Sequence, residues 1–476
     1  FNNPVEYNPI RLSSIINTTK SEYFPTISAD NSTIIFTRLI GENRKQEDIY
    51  IFRKNENKVY SISDLINTNN NEGAHTISAD GKIIIFTRCT PYSGCDLFIS
   101  ENINKNKWSK PVKLPGTINS RYWESQPSLS PDGRTLYFTS NRPGGIGKMD
   151  IWKSTFIGKN KWSKPINLGD SVNTIGNEMS PFIHFDNKTL YFSSDYHPGI
   201  GKFDIFKSSK INDSIWAKPF NIGFPINTEE DEYRLVVIPS GKTAYLSSAV
   251  DTAFKHDIFM FNLDSMNKPE RIIYLKVAIF DEQNKQMLIA DNISVVDLNS
   301  HDTIFNTANK SNFLSCLNIN TEFALNIIKK DYLFYSENFS LQNISDSLNF
   351  FEIDVFMKPI IENEKFILKN IFFETDSYLI NQKSMPELNK FVEFMNISPS
   401  INIQINGHTD SVGTYTHNMT LSNKRALEIK KFLVNNGINK QRIKHKGFGS
   451  LQPKADNGTK IGRKLNRRIE ILILKK

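Results

Sequence analysis

The chain has 476 residues, 39% of them hydrophobic and 23% charged, with a mean hydropathy of -0.40. That balance supports packed cores and, at roughly 100 to 200 residues per domain, about three domains; no stretch approaches the roughly 18 to 20 apolar residues of a spanning helix. The formal charge of +8 is unevenly placed, because residues 361–476 hold 20 Lys and Arg against 10 Asp and Glu and leave 38 against 40 before them, so an anionic partner, nucleic acid or wall polymer, is sought at the C-terminal end.

The opening FNNPVEYNPIRL has no basic run followed by an apolar one, which fits a mature end after signal removal or a trimmed chain. Residues 1–271 then repeat one unit. ISADNSTIIFTR (27–38), ISADGKIIIFTR (77–88), LSPDGRTLYFTS (129–140), IHFDNKTLYFSS (183–194) and VIPSGKTAYLSS (237–248) each read as strand, tight turn, strand. Asp-Asn, Asp-Gly or Ser-Gly supplies the positive φ values that two-residue hairpins require. A third strand opens at Asp48, Asp96, Asp150, Asp204 and Asp257, at spacings of 48, 54, 54 and 53.

A fourth strand follows in most copies, as KPVKL, KPINL and KPFNI, and leads to an Asn with a Glu five residues on: Asn17 and Glu22, Asn67 and Glu72, Asn119 and Glu124, Asn173 and Glu178, Asn227 and Glu232. The first pair follows NPIRL at the N-terminus, whereas the last unit ends at Pro269 without a clear fourth strand. This pattern predicts a five-bladed all-β propeller over 1–271, its last blade completed by the N-terminal strand so that no sheet edge is left open. The run SPDGRTLYFTSNRPGG (130–145) resembles the WD40-like propeller repeat of periplasmic proteins such as TolB. The recurring acids are read as calcium ligands or, the commoner duty, as acceptors for backbone amides at blade corners. No catalytic triad is legible, and a docking platform is expected.

Cys89 and Cys95 bracket the loop CTPYSGC, while Cys316 stands alone in FLSCL. The pair is either a loop disulfide of an oxidising compartment or two free thiols, and its spacing is a poor zinc pattern. Residues 272–359 change to short alternating runs with polar connectors, such as IYLKVAIFD, NISVVDL and FALNIIKK, as a small β-sandwich requires. They resemble carboxypeptidase regulatory-like domains and read as a spacer or interaction module, with a purely structural linker between two functional ends as the alternative.

Residues 360–476 become mixed α/β. KFILKNIFFE reads as a strand, SMPELNKFVEFMN as a helix with Pro386 near its start, INIQING as a strand, HNMTLSNKRALEIKKFLVNNG as a helix ended by Gly437, and RIKHKGFGS and RIEILILKK as strands. Ser422, Ala426, Ile429 and Leu433 form a core stripe on the second helix, and Asn418 and Arg425, two turns apart, lie beside it. Asp410 ends the preceding strand and is joined to that helix through Gly413, so acid and arginine are expected to face one groove. Lys424, Lys430, Lys431, Lys440, Arg442, Lys444 and Lys446 read as a solvated face, and no nucleic-acid motif accompanies them.

FETDS (373–377), NGHTDSVG, N-x-x-LS-x-x-RA (418–426), GFG (447–449) and NRR (466–468) together resemble the OmpA C-terminal family, shared with Pal and the MotB stator protein. The resemblance implies a peptidoglycan-binding domain in which Asp410 and Arg425 grip diaminopimelate of the wall peptide, with Asp376, Asn418 and Arg467 supporting and Thr409 and Leu421 in the same set. The chemistry is apt: the free end of diaminopimelate carries an ammonium and a carboxylate on one carbon, which calls for one acid and one planar fork. A plain Asp410–Arg425 salt bridge is the alternative reading.

Propeller, sandwich and OmpA-like domain in this order resemble the PorE-type component of the type IX secretion machinery, although the helical repeats and lipidated cysteine usual there are missing from this sequence. The resulting expectation is a non-enzymatic, cofactor-free periplasmic anchor associated with outer membrane and peptidoglycan, docking protein partners through its propeller. A general outer-membrane-to-wall stabiliser and a wall-targeted propeller enzyme are the rivals.

Overall fold

A computed structural model describes residues 4–41, 46–91, 94–104, 107–158, 161–249, 255–345, 350–374 and 376–476. Strand is their commonest regular structure and helices are few. Two compact units result, one comprising Phe1–Leu275 with two short later segments, the other most of the chain from Lys276 to Lys476.

In the first unit each repeat becomes an antiparallel sheet. The first sheet orders Glu22–Ile27, Thr33–Leu39, Glu47–Arg53 and Lys58–Ser61. In the last, Tyr233–Val237, Thr243–Ala249 and His256–Asn262 are completed by Ile10–Arg11, with Ile10 opposite Met260. The first strand of each sheet packs beside that of the next, and the fifth beside the first. All five first strands break register at a left-handed residue two positions after the glutamate: Phe24, Ala74, Gln126, Ser180 and Arg234.

The turns differ from the two-residue hairpins expected. Only one residue of each pair is left-handed, Asn31, Gly81, Gly133, Asn187 or Gly241. The N–H of Asn31 reaches Ser28 O and that of Ser28 reaches Thr33 O, so the loop is longer. Its aspartate is used as an acceptor, as Asp30 Oδ1 takes Ser28 Oγ–H and Ser32 N–H, which stabilises the turn by local hydrogen bonding.

The Asn–Glu pairs do structural work. Asn17, Asn67, Asn119, Asn173 and Asn227 each accept from the N–H and donate to the carbonyl of one third-strand residue, Ile258, Ile49, Leu97, Ile151 and Ile205 respectively. The glutamates are buried and accept the backbone N–H and hydroxyl of Thr18, Thr68, Ser120, Thr174 and Thr228. Arg38, Arg88 and Arg142 neutralise the first three.

Cys89 and Cys95 face each other across a hairpin and form a disulfide, with Cys316 free. The closed loop is short, so its loss from the unfolded chain's constraint is worth about 2 kcal/mol. A Cys89→Ser/Cys95→Ser chain is expected to melt a few degrees lower, and its melting point, unlike the parent's, to ignore added dithiothreitol.

His75 lies on the second first strand and is 1% exposed; burial pushes its imidazole down to about 3. The unfolded chain takes up this proton near pH 6.5 whereas the folded one resists it, so stability of the first unit falls as pH drops below about 6.5, by up to about 1.4 kcal/mol per pH unit from this group. Urea melts from pH 7 to 4.5 are expected to show a shallower decline for His75→Gln than for the parent.

In the second unit, Asn292–Asp297, Thr303–Thr307, Glu322–Ile328 and Tyr335–Ser340 form one antiparallel sheet. The C-terminal sheet orders Lys365–Leu368, Ile469–Lys475, Asn402–Gly407 and Ile443–Gly447, the last pair parallel. Helices α1 (Met385–Ile397) and α2 (Tyr415–Asn435) cover one face. Leu388, Phe391 and Phe394 of α1 and Ala426, Ile429 and Leu433 of α2 pack on Ile403, Ile405, Ile469, Ile471 and Ile473. A short helix α3 (Lys460–Asn466) was not legible in the sequence.

One sequence expectation on the C-terminal part is revised. The strand read as KFILKNIFFE stops at Leu368, because Lys369 N–H turns to Ser336 Oγ and Phe372 N–H to Ser384 Oγ. Ile328, Leu333 and Phe334 of the middle segment belong to the C-terminal core. Glu387 of α1 sits in that junction, 0% exposed, accepting from Ser336 Oγ, Asn326 Nδ2 and Asn370 Nδ2.

Candidate functional site

The site begins where α2 crosses the end of strand Asn402–Gly407. A Cβ on Gly407 would stand 2.1 Å from Ser422 O, and one on Gly447 2.4 Å from Asn423 N. Glycine at both positions lets the helix lie directly on the strands. Past Gly407, His408 is buried and stacks on Phe448 at 5.3 Å; burial pushes its imidazole down to about 4. Thr409 N–H bonds to Gly449 O, while its buried hydroxyl has no hydrogen-bond partner among the described residues.

Asp410 is 8% exposed. It accepts from Val412 N–H at 3.1 Å and from Arg467 Nη1 at 2.5 Å. Asn418 holds the turn from the other side, donating to Val412 O at 3.0 Å and Asp410 O at 3.4 Å. Gly413 takes a φ of 97°, and Thr414 caps α2 by accepting His417 N–H.

Arg425 projects from the third turn of α2 and is 6% exposed. Its guanidinium rests 4.8 Å over Phe373 and donates from Nε to Ser377 O at 2.9 Å and from Nη2 to Glu374 O at 3.4 Å. It thereby anchors the loop that carries Asp376, itself left-handed at φ 56° and bonded to His417 Nε2 at 2.6 Å. Burial lowers the Arg425 pKa, the nearby Arg467 charge adds to this, and Asp376 and Asp410 oppose it. Leu421 is half-buried on the same helix.

Of the sequence-predicted residues, Asp410, Asn418, Arg425, Asp376 and Arg467 lie together. No ion pair joins Asp410 to Arg425; the acid takes Arg467, and Arg425 takes the 374–377 loop. His417 was missed, its only signal being its place one residue before Asn418. Two carboxylates and two guanidiniums sum to no net charge, so the cluster suits a ligand group bearing both signs. Among the described residues no group of three His, Cys, Asp or Glu has the geometry of a metal site, and no helix is long and apolar enough to cross a membrane.

Residues 372–467 match the OmpA family. Outer membrane porin F of Pseudomonas fluorescens is 37% identical over 101 residues, 21% of this chain and 31% of that protein. The peptidoglycan-associated lipoprotein of Buchnera aphidicola is 34% identical over 102 residues, 21% of this chain and 59% of its own length. The crystal structure of the peptidoglycan-associated lipoprotein from Burkholderia pseudomallei is 25% identical, with 22% of this chain and 84% of that one covered at a TM-score of 0.21. The chain therefore spans about a third of the porin it matches. The C-terminal part of the protein is an OmpA-like domain. With such envelope proteins as its relatives, the chain is periplasmic, on the outer-membrane and wall side.

Proposed function

We propose that this protein is a non-enzymatic anchor whose C-terminal domain binds the diaminopimelate-containing stem peptide of peptidoglycan. The observation that carries the reading is the convergence of Asp410, Arg467, Arg425 and Asp376 at one end of the sheet. The ligand ammonium is received by Asp410, which relaxes its hold on half-exposed Arg467. The ligand carboxylate is received by guanidinium N–H groups of Arg425 left over from its two loop carbonyls. Charge-assisted hydrogen bonds contribute about 1.5 to 3 kcal/mol each, a weak single site that the repeating wall multiplies.

The five sheets of the first unit are read as the blades of a closed propeller that docks protein partners, those of the type IX secretion machinery being the reading favoured by the order of the three segments. Sedimentation with purified sacculi tests the anchor: the parent is expected in the pellet, and folded Asp410→Ala and Arg425→Ala chains in the supernatant. Equal pelleting of all three would overturn it.

A further inference from the structure

Arg234 is a buried cation with no acid paired to it among the described residues. It occupies the left-handed position of the fifth first strand, equivalent to Phe24, Ala74, Gln126 and Ser180 in the other four, and is 2% exposed. Its guanidinium donates from Nη1 to Pro181 O at 2.5 Å and from Nη2 to His75 O at 3.1 Å, and lies 5.8 Å over Phe182. It therefore reaches from the fifth sheet to the fourth and across to the second, through the place where the first strands meet. Both acceptors are neutral carbonyls.

Among the described residues no carboxylate forms an ion pair with Arg234, and burial alone accounts for the lowered pKa of its guanidinium. Nε has no hydrogen-bond partner; nor has the hydroxyl of Ser180, 1% exposed and next in the chain to the Pro181 that Arg234 holds. Arginine keeps its charge inside proteins. An ion removed from water costs several kcal/mol unless it is paired, and carbonyl dipoles offset only part of this. The partly buried arginines Arg38, Arg88 and Arg142 of this unit, by contrast, each meet a buried glutamate.

We propose that a small monovalent anion of the chloride class sits at the centre of the first unit, held by Arg234 Nε–H with the Ser180 hydroxyl as second donor. A tetrahedral oxyanion would need more donors than these two supply. The site is independent of wall binding and would make the first unit's stability depend on halide.

The test uses the full chain. Crystals soaked in sodium bromide are expected to give an anomalous peak within hydrogen-bond reach of Arg234 Nε. In solution, melting in sodium chloride is compared with sodium gluconate at equal ionic strength; above saturation, each tenfold rise in chloride is expected to move the folding equilibrium of the first unit up to tenfold beyond the gluconate control. Arg234→Met is expected to abolish the difference. Should that variant fail to fold, the bromide position and the chloride–gluconate comparison on the parent decide alone. Absence of the peak, or chloride acting no differently from gluconate, overturns the proposal.

Discussion

An Arg425→Lys chain is expected to keep its charge and lose its ligand. The lysine ammonium is a point donor and cannot hold Ser377 O and Glu374 O while presenting a planar edge to a carboxylate. Two consequences combine. The direct contact is lost, about 1.5 to 3 kcal/mol or roughly ten- to 150-fold in Kd. The 374–377 loop also loses its tether, so that Asp376 and its bond to His417 are no longer positioned. Calorimetry with a soluble diaminopimelate stem peptide measures the sum. Asp376→Ala separates the parts, because it removes the acid while leaving Arg425 and α2 in place. If Arg425→Lys bound as tightly as the parent, the fork geometry would have no role in recognition.

Glu387→Ala is expected to be the most destabilising single change in the second unit, by about 3 to 5 kcal/mol, because it strands the buried donors of Ser336, Asn326 and Asn370. Burial raises the Glu387 pKa above its ordinary value, with the three donors opposing. A raised folded pKa means that the folded chain holds the proton longer than the unfolded one. The associated stability is full below the unfolded pKa and is lost as pH rises through the folded one. Glu387→Gln, neutral at every pH and of the same shape, is therefore expected to gain on the parent as pH rises. Thermal melts of the three chains from pH 4 to 8 measure both effects. A parent and Glu387→Gln that track each other throughout would show that this carboxyl titrates normally.

The junction matters for anchoring as well. With Ile328, Leu333 and Phe334 inside the C-terminal core, the middle sheet and the C-terminal sheet share side chains that pack together. Hydrophobic periodicity in residues 272–359 reports that a face is buried, not which element covers it.

Much of the protein was legible in one dimension. The five repeats, the Asn–Glu pairs and the core stripe of α2 are periodic features, and periodicity of burial is imposed by local backbone geometry. Asp410, Asn418 and Arg425 were placed beside one another because eight and seven residues of turn and helix separate them. The choice of bonding partners, by contrast, emerges only once the chain is folded. Asp410 pairs with Arg467, 57 residues away, and Arg425 reaches back 48 residues to Ser377; the buried Arg234 finds carbonyls in two other sheets. These choices depend on side-chain reach across separate elements, and charged groups of equal kind are interchangeable until burial and distance select among them.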